Sequence, residues 1–331
     1  MKSFIEQARE FRRDVSKVDD ERDQGLTTPE NILRYDDIDY GVDENHLLDV
    51  YRPKDKLGKL PVIVSVHGGG WKYGDKERYQ YYCMDLALRG FAVINFTYRL
   101  SPENRFPKHL FDVVKAFDFI LLHHEKYGFD LDNVFAVGDS AGAHLLSLYC
   151  CLAINKEYRK EIKIKNKNLI LPKAIGLNCG IYHFEGVLLE KMKGVLKKGR
   201  FEKDEYLIEA LDWMNERFPP TYIISSDQDF LLHQQPLLKK RLDDLHIENE
   251  MIIYKSDEKE TLYHVFHLNI KSEVSKKAND EEIEFFIKKE SKYWSCSSLT
   301  SIVIPDSVTS IGDGAFYVFK SFDVYYTGTE E

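Results

Sequence analysis

The 331-residue sequence predicts an α/β fold, a mostly parallel sheet covered by helices on both faces. Three observations carry this. Short apolar runs alternate with stretches of helical periodicity along most of the chain. Those runs are continuous rather than alternating, as strands buried on both faces require. A length of 331 residues at 43% hydrophobic composition is enough to bury a large core.

Taken in order, residues 1–35 read as an N-terminal cap segment: an amphipathic helix with Phe4, Ala8 and Phe11 at helical spacing, then a polar loop. The main domain is expected over 36–293. It opens at 37–53 with two strands joined by a polar turn at Asp43-Glu44-Asn45. Further strands are predicted at 61–66, 91–98, 134–137, 174–179, 221–225 and 251–254. Helices are predicted near 78–89, 108–126, 141–154, 234–245 and 278–289. The Lys- and Glu-rich stretch 181–218 interrupts this rhythm with apolar positions at helical spacing, and reads as a helical lid inserted between two strands. After Trp294 the sequence loses most of its charge and becomes rich in Ser, Thr, Ile and Val, so 294–331 is expected to be a separate tail.

Charge and cysteine content exclude several classes. A net charge of −9 argues against nucleic acid as a partner, since phosphate binding needs a basic face. The basic run 159–167 reads as a solvated loop or helix end. Five cysteines without CxxC spacing fit reduced thiols rather than a disulfide framework or a metal site. The N-terminal 25 residues are charged throughout, with no apolar core of a signal peptide. No run approaches the roughly 18 apolar residues of a membrane span. The expected location is the cytoplasm, with no membrane contact.

In such sheets sites collect at the carboxyl ends of the strands. The segment 134–146, VFAVGDSAGAHLL, passes from a buried strand to a helix through Gly138-Asp139-Ser140-Ala141-Gly142. G-x-S-x-G at that junction is a nucleophile elbow: a strained turn with small neighbours that lifts a serine hydroxyl above the sheet at a helix N-terminus. An earlier strand ends in His67-Gly68-Gly69-Gly70-Trp71, where glycines let backbone N–H groups approach a carbonyl oxygen that becomes anionic. A nucleophilic serine needs a base, and the base an orienting acid. Of eleven histidines, His144 lies a turn deeper on the elbow helix and is expected to pack. His123 and His124 end a helix, and His67 braces the glycine loop. LYHVFHLN follows the last predicted strand and precedes the last helix, where a loop could reach the elbow, and His264 and His267 compete there; YIISSDQDFLL ends a strand in Asp227 and Asp229.

His67-Gly-Gly-Gly-Trp71, Tyr98-Arg99-Leu100-Ser101-Pro102-Glu103 and Gly138-Asp-Ser-Ala-Gly142 together resemble the hormone-sensitive-lipase-like carboxylesterases of the α/β-hydrolase fold, over about residues 35–290. The resemblance implies the chain order Ser, Asp, His. It selects Asp229 through Asp229-Phe230-Leu231 and His264 through His264-Val265-Phe266. It also implies oxyanion donors at Gly69, Gly70 and Ala141, with no cofactor and no metal. Thr97 and Ser101 depart from the usual Asp-Tyr-Arg-Leu-Ala-Pro, and neither the N-terminal cap nor 181–218 matches a family motif.

The implied function is hydrolysis of short-chain acyl esters by a serine carboxylesterase. A serine peptidase of the same fold and a non-catalytic hydrolase-like binding protein are the alternatives. In the tail, 299–316 resembles one unit of the leucine-rich repeats of bacterial surface antigens, with Ile302, Ile304, Val308, Ile311 and Phe316 as its apolar edge and Pro305 and Gly312 in its turns. One such unit cannot bury its own face, so it is expected to pack on the main domain, to pair with another chain in a tail-mediated contact or a homo-oligomer, or to be a marginal remnant. The repeat type points to an acetylated sugar or plant-derived ester as substrate.

Overall fold

A computed structural model describes residues 3–165, 168–196, 199 and 201–290, and the backbone of two strands at Ser301–Ile304 and Asp323–Tyr326. The chain divides into two units, Met1–Glu290 and Ser291–Glu331. The first unit has the α/β-hydrolase fold.

Helix α1 (Phe4–Asp23) starts in a capping box, in which Ser3 and Glu6 satisfy each other's backbone N–H groups. Strands β1 (Ile32–Asp39) and β2 (Leu47–Pro53) form an antiparallel pair, so the first strand begins before residue 36. There follow β3 (Leu60–Val66), α2 (Lys76–Leu88), β4 (Ala92–Phe96), α3 (Lys108–Tyr127), β5 (Phe129–Asp139) and α4 (Ala141–Ile154). Helix α5 (Lys156–Ile162) was not foreseen; the front half of the basic run lies on it, and Lys163 ends it in the left-handed region at φ 64°.

After β6 (Ile175–Asn178), the 181–218 stretch holds three short helices, α6 (Gly186–Met192), α7 (Phe201–Asp204) and α8 (Ala210–Trp213), with a 3₁₀ turn at Glu205–Ile208. Met192, Val195, Leu196, Ile208 and Ala210 are buried, so this insertion contributes to the core of the unit. Strand β7 (Thr221–Ser226), α9 (Gln235–Asp244), β8 (Asn249–Tyr254) and α10 (Glu273–Ile287) complete it.

The eight strands run in the order β1-β2-β4-β3-β5-β6-β7-β8. The pairings β1–β2 and β2–β4 are antiparallel, and all others are parallel. The continuous apolar runs match burial on both faces: every residue of β4 and β6 is buried. On one face α3 and α4 pack together, with Phe117 stacked on Tyr149 at 3.9 Å between ring centroids. On the other, Phe286 of α10 stacks on Phe135 of β5 at 5.0 Å.

In the second unit β9 (Ser301–Ile304) and β10 (Asp323–Tyr326) pair in parallel. The repeat-edge side chains Ile302, Ile304, Val308, Ile311 and Phe316, the turn residues Pro305 and Gly312, and Cys296 lie outside the described residues. Cys83, Cys150, Cys151 and Cys179 are free and buried. Among the described residues no helix is long and apolar enough to cross a membrane.

Candidate active site

The site lies at the carboxyl ends of the central parallel strands. Strand β5 runs into Ser140, held at φ 51°, ψ −117°, and α4 starts at the next residue. A non-glycine residue at positive φ is strained, and its neighbours explain how it fits. A Cβ on Gly142 would stand 1.9 Å from the Val66 carbonyl oxygen, and one on Gly138 would stand 2.8 Å from Gly142 backbone. The Ser140 N–H donates to the Asn178 carbonyl at 2.9 Å, which ties the elbow to the end of β6.

Ser140 Oγ lies 2.9 Å from His264 Nε2. The opposite ring nitrogen, Nδ1, is 2.7 Å from Asp229 Oδ1. Asp229 is buried and accepts from Ser225 Oγ at 2.7 Å and from the Leu231 N–H at 2.9 Å. Burial alone would push its pKa up, but the bonds from His264, Ser225 and Leu231 outweigh that and leave it below the ordinary carboxylate value. The structure therefore brings Ser140, His264 and Asp229 into one hydrogen-bonded line.

The competing residues are occupied elsewhere. Asp227 accepts from the N–H and Oγ of Ser256 and so closes a loop. His267 is buried against Tyr82, where desolvation lowers its pKa to about 3 and keeps it neutral. His144 is buried, with Nε2 donating to the Ile208 carbonyl at 2.7 Å. His123 and His124 are partly exposed at the end of α3.

The glycine loop is braced from below. His67 stacks on Tyr98 at 4.0 Å between ring centroids and donates from Nδ1 to the Gly68 carbonyl at 2.8 Å. The Gly68 N–H donates to Tyr79 Oη, which donates in turn to Asp139 Oδ2, both at 2.8 Å. Burial raises the Asp139 carboxyl to about 7 against the Tyr79 bond. Gly69 sits at φ 100°, where a Cβ would meet the Tyr73 carbonyl oxygen at 2.2 Å. Gly70 sits at φ 59°, and among the described residues only the Phe11 ring comes near the space beside it. Among the described residues no hydrogen bond takes up the N–H groups of Gly69, Gly70 and Ala141.

Tyr79, Ser225 and Cys179 support this arrangement and were not singled out from sequence. The available signal was positional: Ser225 and Cys179 fall at the carboxyl ends of adjacent strands β7 and β6. Cys179, Asp229 and His264 offer ligand-type atoms within 4.8 Å of one another, but Asp229 and His264 are already bonded to each other. The Tyr-Arg-Leu motif is structural: Arg99 grips the buried Asp112 with Nε at 2.8 Å and Nη2 at 2.7 Å, and His46 Nε2 approaches the same carboxylate at 2.8 Å.

The family model BD-FAE matches residues 48–242, more than half of the chain. The chain belongs to the BD-FAE family. The BD-FAE match includes the glycine loop, the elbow and Asp229, and it ends before His264. Among curated relatives, the probable carboxylic ester hydrolase LipM of Mycobacterium tuberculosis is 38% identical over 216 residues, 60% of this chain and 49% of that protein. Esterase LipC of the same organism is 35% identical over 125 residues, 37% of this chain and 31% of that protein. The chain thus spans half or less of the length of these two relatives. Versiconal hemiacetal acetate esterase of Dothistroma septosporum is 27% identical over 198 residues, 54% of this chain and 60% of that protein. Among solved structures, esterase B from Lactobacillus rhamnosis superposes with a TM-score of 0.77 at 23% identity, covering 87% of this chain and 95% of that chain. A bacterial heroin esterase gives 0.69 at 19% identity, covering 84% and 90%. Likeness at these identities shows the fold.

Proposed function

We propose that this member of the BD-FAE family is a serine carboxylesterase acting on short-chain acyl esters. The observation that carries the reading is the His264 ring bridging Ser140 Oγ at 2.9 Å and Asp229 Oδ1 at 2.7 Å. His264 Nε2 takes the Ser140 proton as Oγ attacks the ester carbonyl carbon, and Asp229 fixes the tautomer and stabilises the imidazolium. The N–H groups of Gly69, Gly70 and Ala141 receive the oxyanion, each worth roughly 3–4 kcal/mol of barrier in comparable sites. Collapse of the tetrahedral intermediate expels the alcohol, which takes its proton from His264. Water then attacks the acyl-serine through the same base, releasing the acid and freeing Ser140.

The ester hydrolase relatives and the motif likeness to hormone-sensitive-lipase-like carboxylesterases support this reaction class. The 181–218 stretch serves as the lid, tied to the elbow helix through the His144–Ile208 hydrogen bond. An acetylated sugar or plant-derived ester is the proposed natural substrate. The test is hydrolysis of p-nitrophenyl acetate, butyrate and longer esters, beside Ser140→Ala. The wild type should turn over the short esters and be labelled by a fluorophosphonate, and the variant should do neither. Equal background rates together with an unlabelled wild type would refute the reading.

A further inference from the structure

Beyond the glycine loop, where Trp71 sits at φ 60°, the site holds Ser140 at φ 51°, Cys179 at φ 49° and Val265 at φ 56°, all with left-handed backbone. The first is the elbow. The other two sit one residue past the end of β6 and one residue past His264, and they touch. The Val265 N–H donates to Cys179 Sγ at 3.4 Å. The same sulfur lies beside Asp229, within 4.8 Å of the ligand-type atoms of both Asp229 and His264.

Cys179 is itself firmly held. Its N–H donates to the Ile224 carbonyl of β7 at 2.7 Å, while the residue before it, Asn178, accepts from the Ser140 N–H at 2.9 Å. A two-residue stretch thus joins the elbow strand to the acid strand, and the thiol reaches across to the base. The side chain is fully buried, and desolvation together with the Asp229 charge keeps the thiol protonated. A β-branched residue at φ 56° costs of order 1–3 kcal/mol unless its surroundings impose that backbone, and the sulfur is one partner that does so.

We propose that Cys179 is a positioning residue: by anchoring the turn after His264 and packing against Asp229, it sets the distance between acid and base and keeps the imidazole aimed at Ser140. The proposal rests on the esterase reading above.

The experiment compares Cys179→Ala and Cys179→Ser with wild type. The readouts are kcat and KM on p-nitrophenyl butyrate, thermal stability, and the downfield proton NMR resonance of the His264 Nδ1–H···Asp229 hydrogen bond. Alanine removes the acceptor, and small misplacements of reacting groups are expensive. Its kcat should therefore fall about tenfold or more, with KM little changed and the downfield resonance shifted or broadened. Serine keeps an acceptor for the Val265 N–H and should recover most of kcat and the resonance. The proposal is overturned if alanine matches wild type in kcat and resonance. It is equally overturned if serine is no better than alanine, or if the lost rate only tracks the lost folded fraction while the resonance stays in place. A wild type without ester hydrolysis would sink the esterase reading instead, and the resonance comparison would still decide the role of Cys179.

Discussion

Asp227 and Asp229 lie two residues apart and carry the same carboxylate, yet their surroundings give them different work. Asp227 is spent on the N–H and hydroxyl of Ser256, whereas Asp229 is buried and faces His264 Nδ1. Asp229→Asn would present an amide to Nδ1 and favour the wrong tautomer, so kcat should fall roughly a thousandfold or more. Asp227→Asn should keep kcat within a few-fold and loosen the 256 loop. Steady-state kinetics on the two variants decide this, and a reversed order of effects would reassign the acid. At this scale the local sequence was informative where spacing is dictated by sterics. The crowding around Ser140 is readable from Gly138, Ala141 and Gly142, because only small residues fit there. Spacing alone did not separate Asp227 from Asp229 or His264 from His267. That distinction depends on which way each side chain leaves its turn, and that is set by contacts such as Val265 to Cys179.

Among the elements, α1 shows how a segment without a recognisable motif can act on the site. Arg12 donates to the carbonyls of Lys72 at 2.6 Å and Ser101 at 2.9 Å, and grips Glu103 at 2.9 and 2.7 Å. Lys72 directly follows the His67–Trp71 loop, and the Ser101 N–H donates to the Trp71 carbonyl at 2.8 Å. One guanidinium therefore ties the helix to the loop whose N–H groups are proposed to meet the oxyanion. Arg12→Ala should lower stability by roughly 1–2 kcal/mol, the ordinary scale for charged hydrogen bonds that are partly exposed. It should also lower kcat several-fold through a looser loop. Urea denaturation and initial rates measure both, and unchanged values would remove α1 from the proposed machinery. The amphipathic pattern of α1 was visible in Phe4, Ala8 and Phe11, but its docking was not, because a helix's charged face does not reveal which carbonyls it will find. Similarly, β5 begins at Phe129, earlier than its apolar run, since the intervening Asp130, Asp132 and Asn133 mask a strand edge. Helix α5 hid in a Lys-rich run, where composition speaks of solvation rather than periodicity.

For the whole molecule, the parallel sheet was legible because double-sided burial forces continuous apolar runs. What it enclosed was less legible: several ionisable groups sealed in the interior. Burial lowers His67 and His144 to about 4 and His109 and His267 to about 3, from an ordinary 6.5. It raises Asp139 to about 7 from 3.8, and Glu282, which accepts from Asn178 Nδ2 at 3.0 Å, to about 8 from 4.5. Near pH 5 the unfolded chain holds protons on all four histidines while the folded chain holds them on the two carboxyls. For these six groups unfolding thus takes up about two protons, four minus two, and their contribution to stability falls as pH drops, by roughly 2–3 kcal/mol per pH unit. Above pH 6.5 the folded histidines stay neutral while the unfolded ones lose their remaining protons over about one pH unit, which partly offsets the carboxyls. The two carboxyls keep protons only in the folded chain until pH passes about 7 and about 8, so stability falls again as pH rises, by about 1 kcal/mol per pH unit. These six groups therefore place the maximum near pH 6.5, with the acid side steeper. Equilibrium urea denaturation between pH 5 and 8.5 should trace that asymmetric curve. Glu282→Gln, which retains an acceptor for Asn178 and cannot ionise, should flatten the alkaline side and steepen the acid side, because unfolding near pH 5 then takes up about three protons, four minus one. A stability that climbs steadily from pH 6.5 to 8 in the wild type would show that Asp139 and Glu282 are already ionised in the folded interior.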